Sequence, residues 1–185
     1  MRHIPSSTYR IQLQAGFTFD QASQIAGYLW ALGVSHVYCS PYLQASPGST
    51  HGYNVVDTQK INVELGGEEC HQRFCKRLAE LQMGQILDIV PNHMATGPQN
   101  RCWWDVLENG PSSPFATWFD IDWHSAEVKL QNKVLIPVLG DQYGRALSRN
   151  QIKIEQEGDR CQVQYMDNLY PLALRSLAIP LSKAA

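Results

Sequence analysis

Apolar positions along this chain change period several times, and each change marks an element boundary. Thr8–Leu13 (TYRIQL) alternates as a short strand does, and Gly16 then frees the backbone to turn. From Asp20, a side chain suited to capping a helix, Ala22, Ile25, Ala26, Leu29 and Leu32 recur at helical spacing until Gly33 closes the helix. Val34–Cys39 (VSHVYC) is a β-branched and aromatic strand that ends before Pro41. Glu68 and Glu69 suit the first turn of the next helix, and Phe74, Leu78 and Leu81 continue its apolar face. Gly84 ends it, and Gln85–Val90 is a third strand, stopped by Pro91.

Two successive helix–glycine–strand–proline units predict parallel strands joined by helical crossovers. The run Ile86-Leu87-Asp88-Ile89-Val90 is what a strand covered on both faces requires. A doubly wound sheet and a (β/α) barrel both satisfy this pattern. Ser40 to Gly67 is a connection far longer than the roughly 2–6 residues usual between strand and helix, and such length in a compact domain is usually functional. After Pro91 the rhythm changes. Trp103, Trp104, Trp118 and Trp123 cluster, and Lys133–Leu139, Ile152–Gln156 and Gln162–Tyr165 read as short, locally connected antiparallel strands with Gly140, Gly144 and Gly158 at turns. The expected organisation is α/β over residues 1–90, an inserted, partly antiparallel β subdomain over 91–171, and a tail over 172–185 without clear pattern.

Composition narrows the function without naming it. With 185 residues, 44% hydrophobic and 17% charged, the chain has material for an ordinary core. Lys plus Arg number 15 against 17 Asp plus Glu, with no basic stripe, so a nucleic-acid partner is not expected. No apolar run approaches the roughly 20 residues that cross a bilayer, and the start lacks a signal-peptide core, so a cytoplasmic protein without membrane partners is expected. Cys39, Cys70, Cys75, Cys102 and Cys161 are odd in number and form no CxxC pair, which fits free thiols.

The chemistry gathers at strand ends. Asp88, Asn92 and His93 stand at the exit of the third strand, and His51, Tyr53 and Asp57 lie in the long connection after the second, so both groups can converge over one face. Carboxylate, amide and imidazole beside aromatic platforms suit a neutral sugar, which offers many hydroxyls and weakly apolar ring faces. Asp88 reads equally well as a paired carboxylate that fixes the strand end. His36 and His124 read as structural, and Trp103 and Trp104 as packing residues. A metal site from Asp88, His93 and His51 matches no common zinc spacing, and no metal is expected.

These residues carry a resemblance. DIVPNH resembles the third-strand signature of the alpha-amylase-type glycoside hydrolases, and HGYNVVD with INVELGG resembles the segment leading to it. Within that group, STYRIQL, GFTF, SPYLQASPGSTHGYNVVD, DIVPNHMA, WWDVLENGPSSP, FDIDW and KVLIPVLG are similar, in order and up to about Leu172, to the maltooligosyl trehalose synthases. The resemblance implies the first three β/α units of a TIM-type (β/α)8 barrel with a subdomain inserted after the third strand. It implies an α-1,4-glucan such as a maltooligosaccharide as partner, no cofactor, and rearrangement of the reducing-end α-1,4 linkage to α-1,1. Hydrolysis of α-glucans, or glucan binding without catalysis, are the alternative expectations.

Residue by residue, the resemblance implies that Tyr53, beside His51, stacks on the sugar ring next to the cleaved bond. His93 would bond that ring's primary hydroxyl, Asp88 would orient the site, and Asn92 would fix the loop. Asn54 stands where the family has Asp. The nucleophile and acid/base belong to later strands that nothing in this sequence resembles, so no catalytic residue is expected in this chain, which alone is expected to be inactive. An uncovered sheet edge is expected to favour self-association.

Overall fold

The computed structural model describes residues 4–157 and 160–173, and the chain divides into two compact units, Met1–Ala95 and Thr96–Ala185. The expected tail lies outside the described residues from position 174 onward.

In the first unit, β1 (Thr8–Ile11), β2 (His36–Cys39) and β5 (Gly84–Leu87) form a parallel sheet in the order β1-β2-β5, as the three predicted strands required. Between β2 and β5 lies a two-stranded antiparallel hairpin, β3 (Leu43–Ala45) with β4 (Val55–Ile61), which the sequence pattern did not reveal. Helices α1 (Phe19–Ala31) and α2 (Gly67–Glu80) cover one face of the sheet. Ile11, Val37 and Cys39 meet Phe19, Ala22, Ala26 and Leu29 of α1 and Phe74 and Leu78 of α2 in the core. Full burial of a side chain the size of Phe19, Leu29, Val37 or Phe74 contributes roughly 1.5–3 kcal/mol.

Local chemistry sets the helix ends. The cap of α1 is Thr18, not Asp20: its N–H donates to Gln21 Oε1 at 2.7 Å, while Asp20 in the first turn accepts from Arg73 of α2 at 2.9 Å. Gly33 takes the left-handed conformation past α1 with φ 83°, as its place in the pattern predicts. Gly84 does not end α2. Gln82 adopts the left-handed turn there, with φ 55°, and Met83 N–H returns to Leu78 O at 2.9 Å. Gly84 begins β5 opposite His36, and a Cβ at this position would run into the His36 imidazole, which is 4% exposed. Glycine is there for close approach.

The third strand is shorter than its apolar run. Regular pairing stops at Leu87, and Ile89 and Val90 are 56% and 37% exposed, so ILDIV is not buried on both faces among the described residues. Asp88 N–H still donates to Cys39 O at 2.9 Å, which fixes the strand's exit before the chain turns at Pro91.

The second unit contains α3 (Arg101–Asn109), α4 (Tyr143–Ser148) and an antiparallel meander of β6 (Ile152–Glu157), β7 (Arg160–Tyr165) and β8 (Asn168–Pro171). Asn100 caps α3, its side chain accepting from Trp103 N–H at 3.1 Å, and Trp103 packs on Phe119 with ring centres 5.0 Å apart. Residues 133–139, expected as a strand, pair with none of the strands among the described residues. Pro137 has no N–H to give a ladder, and Val138 N–H closes a tight turn on Ile136 O at 3.0 Å.

Candidate functional site

Strand alternation divides the parallel sheet into two unlike faces. Tyr9, Val37 and Gln85 form one row and Ile11, Cys39 and Leu87 another on the helix side, whereas Arg10, Tyr38 and Ile86 align on the opposite side. Asp88 lies two residues beyond Ile86 and so returns to that opposite side, next to Arg10. Arg10 Nη1 donates to Asp88 Oδ2 at 2.7 Å, and the guanidinium carbon sits 4.6 Å from the centre of the Tyr38 ring.

Tyr53 comes from the nine-residue loop 46–54 between β3 and β4 and donates its hydroxyl to the same Asp88 Oδ2 at 2.6 Å. That loop is built for the approach. Ser46 N–H donates to Asn54 O at 3.0 Å, the Ser49 hydroxyl donates to Asn54 Oδ1, and Gly52 N–H donates to Ser49 Oγ at 3.1 Å. Gly52 has φ 78°, and a Cβ there would overlap the carbonyl oxygen of Pro41, so only glycine lets the loop pass this closely. Gln12, next on β1's polar face, donates to Thr50 O at 3.1 Å and ties the loop down.

Tyr53, Asp88 and His93 line one cavity of about 250 Å³, whose remaining wall is Pro41, Leu43, Val55, Thr58, Ile89, Val90 and Pro91. Its lining is largely apolar, with a few convergent polar groups, the combination that binds small molecules. The hydrogen bond from Tyr53, and then that from Arg10, hold the Asp88 carboxyl below the usual carboxylate range. The same two partners raise the Arg10 guanidinium still further. Asp88 is thus an ionised, paired carboxylate with its Oδ2 twice occupied, suited to holding groups in place.

The other candidate residues fall into different roles. His51 is stacked against Tyr53, ring centres 5.9 Å apart and 21° between planes, and its Nδ1 accepts from Tyr53 N–H at 3.0 Å. It supports Tyr53 from outside the cavity lining. Asn92 is exposed and does not line the cavity. His93 N–H closes a turn on Val90 O at 2.9 Å, which puts Pro91 and Asn92 at the turn's central positions. Asp57 faces elsewhere: on β4 it accepts from Gln59 N–H at 2.9 Å and pairs with Lys60 at 3.0 Å. Among the described residues no group of three His, Cys, Asp or Glu side chains is placed to hold a metal ion, and no helix is long and apolar enough to cross a membrane.

Residues 22–149 match the model of the alpha amylase catalytic domain. The chain belongs to the alpha-amylase family. Its fold is accordingly of the TIM-barrel-type α/β class. A putative maltooligosyl trehalose synthase of Mycobacterium tuberculosis is 45% identical over 141 residues, which are 72% of this chain and 18% of that protein. A crystal structure of a maltooligosyl trehalose synthase superposes with TM-score 0.81 at 39% identity, covering 91% of this chain and 22% of the other. The enzyme of that name from Arthrobacter ramosus does so with TM-score 0.79 at 38% identity, covering 92% and 21%. The chain therefore spans about a fifth of the length of these relatives.

For an alpha-amylase family chain, the most informative residues missed from sequence are Arg10 and Gln12. A signal was available: every second position of TYRIQL is polar, on a strand whose neighbours are apolar and whose sheet is helix-covered. Thr8, Arg10 and Gln12 therefore marked a sheet face turned toward polar groups, but their partners, Thr50 and Tyr53 on the folded loop and Asp88 at the exit of β5, are brought there only by the fold.

Proposed function

We propose that this chain is the N-terminal part of a maltooligosyl trehalose synthase, with residues 1–90 giving the first three β/α units of a (β/α)8 barrel and 91–171 the inserted subdomain. The observation that carries the reading is the meeting of Tyr53, Asp88 and His93 around one cavity at the strand ends. In this reading Tyr53, backed by His51, is the platform for a glucose ring, and His93 bonds its primary hydroxyl. Asp88 orients the site, and Asn92 shapes the turn that presents His93. The ligand is a maltooligosaccharide or another α-1,4-glucan, encountered in the cytoplasm.

The parent reaction is intramolecular transglucosylation. A carboxylate attacks the anomeric carbon and a second carboxyl protonates the leaving oxygen, which gives a covalent glucosyl-enzyme. The freed reducing-end sugar rotates and returns through its anomeric hydroxyl, making the α-1,1 linkage. This chemistry needs no cofactor. Asp88 is a poor nucleophile for it, because Tyr53 and Arg10 both occupy its Oδ2. We assign the reacting carboxylates to the part of the longer relatives that this chain does not match. The 185-residue chain alone then binds glucan without turnover, and β1 and β5, each paired on one side only among the described residues, favour self-association.

Two assays test the reading. Maltopentaose titrated into the purified chain is expected to bind saturably without loss of reducing ends; sustained turnover, or no binding at millimolar sugar, counts against it. Grafted in place of the matching segment of the Mycobacterium tuberculosis relative, the chain is expected to support a trehalose-ended product. Release of new reducing ends by that chimera would favour an α-glucan hydrolase.

A further inference from the structure

The sheet face turned away from the helices carries a cation that the sugar-site reading does not use. We propose that Arg10 is a positioning residue that clamps the Asp88 carboxylate and the Tyr53 ring into one preformed wall of the cavity, so that a neutral polyhydroxyl ligand meets a fixed surface. This rests on the sugar-site reading for the identity of the ligand only.

Three contacts converge on the guanidinium. Nη1 donates to Asp88 Oδ2 at 2.7 Å, Nη2 reaches the Tyr53 hydroxyl oxygen at 3.4 Å, and the carbon lies 4.6 Å above Tyr38, the residue directly opposite Arg10 in register. Tyr53 in turn donates to Asp88 at 2.6 Å, so each of the three polar groups is joined to the other two. A planar fork makes such a ring of contacts with fixed angles and stacks on an aromatic face, which a lysine ammonium does not reproduce. Arg10 is on β1, paired to β2, and Asp88, one residue past β5, is tied to β2 by its N–H to Cys39 O, so the clamp is built on the sheet, whereas Tyr53 stands on a loop. Removing Arg10 leaves Asp88 with a lost cation and Tyr53 with one side-chain anchor fewer.

The pairing also sets the charge of the wall. Asp88, 14% exposed at its side chain, is the one carboxylate among the described residues lining the cavity, and Arg10 neutralises it. An uncharged sugar then enters without an unbalanced charge to desolvate, while the free lone pairs of Asp88 remain available to its hydroxyls.

The test uses the full 185-residue chain as wild type, Arg10→Met and Arg10→Lys, following the Asp88 carboxyl carbon by NMR against pH. Tyr38 from β2 and Tyr53 from the loop also act on Asp88, His93 from the turn lines the same cavity, and all three are unchanged in each variant. The Asp88 midpoint is expected to move up in Arg10→Met and to return toward wild type in Arg10→Lys, whereas the Tyr53 ring signals stay altered in both. An unmoved midpoint in Arg10→Met overturns the proposal. Should Arg10→Met fail to fold, the wild-type Arg10 Nη protons decide: separate, slowly averaging signals support the clamp and a single freely averaged signal overturns it. Maltopentaose added to the same samples is expected to bind roughly tenfold more weakly to Arg10→Met. A wild type that shows the shifted midpoint yet binds no sugar removes the sugar-site reading and leaves the clamp standing.

Discussion

The Tyr53 hydroxyl and the Asp88 carboxylate, 35 positions apart, meet over 2.6 Å and join the loop after β3 to the exit of β5. Neither strand pairing nor helix packing dictates that contact, and the cavity wall depends on it.

Acid should dissolve this link in a defined window. Tyr53 first, and Arg10 second, lower the Asp88 pKa in the folded chain. A lowered folded pKa contributes stability that is complete above the unfolded carboxylate value, about 3.9, and is lost as pH falls through the folded value. Thermal melts of wild type and Asp88→Asn should therefore differ by a constant margin from about pH 7 to 5, with the margin shrinking from about pH 4 and vanishing only below the lowered folded value. A margin that survives strong acid would assign the stabilisation to something other than the ionised carboxylate.

Substitutions at Tyr53 should separate its hydroxyl from its ring. Tyr53→Phe keeps the platform and loses one charge-assisted hydrogen bond, so maltopentaose affinity should fall by a few-fold to about tenfold. Tyr53→Ala loses both and should fall further. Equal losses in calorimetric titrations would mean that the ring does not contact sugar.

Gly84→Ala places a methyl group against the buried His36 imidazole and should cost about 1–3 kcal/mol of stability in denaturant melts. Combining it with His36→Ala should recover part of that cost, because the two changes act on the same space. Strict additivity would show that Gly84 serves β5 in another way.

Gly52→Ala combines a left-handed backbone with a Cβ set against the Pro41 carbonyl, and should cost upward of about 1 kcal/mol while displacing Tyr53. Loss of glucan affinity at temperatures where the chain is still folded is the expected signature.

Cysteine reactivity offers a check on the core. Cys39 is fully buried, and burial pushes its thiol up to about 12, whereas Cys75 is exposed. Under native conditions at about pH 8, iodoacetamide mapped by mass spectrometry should reach Cys75 well before Cys39. Early labelling of Cys39 would mean that the sheet opens.

By itself the sequence determined the parallel strands, the two covering helices and the family. Helical spacing from Ala22 to Leu29 and from Phe74 to Leu78, and the apolar strand Val34–Cys39, are local patterns that survive in any context burying one face. It also marked Asp88, Asn92 and His93 at a strand exit and His51, Tyr53 and Asp57 in the long connection before it. Only the tertiary structure decided which of these meet. The hairpin in residues 43–61 depends on pairing Leu43 with Ile61 across eighteen positions, with irregular register, and such pairing leaves little periodic trace. Asn92 became a turn residue because Pro91 sets the bend, and among the described residues 133–139 pair with no strand, Pro137 having no N–H to give one. Arg10 gained its role because sheet register and a glycine-permitted loop bring Asp88, Tyr38 and Tyr53 within reach of one guanidinium, a convergence that hydrophobic period cannot encode.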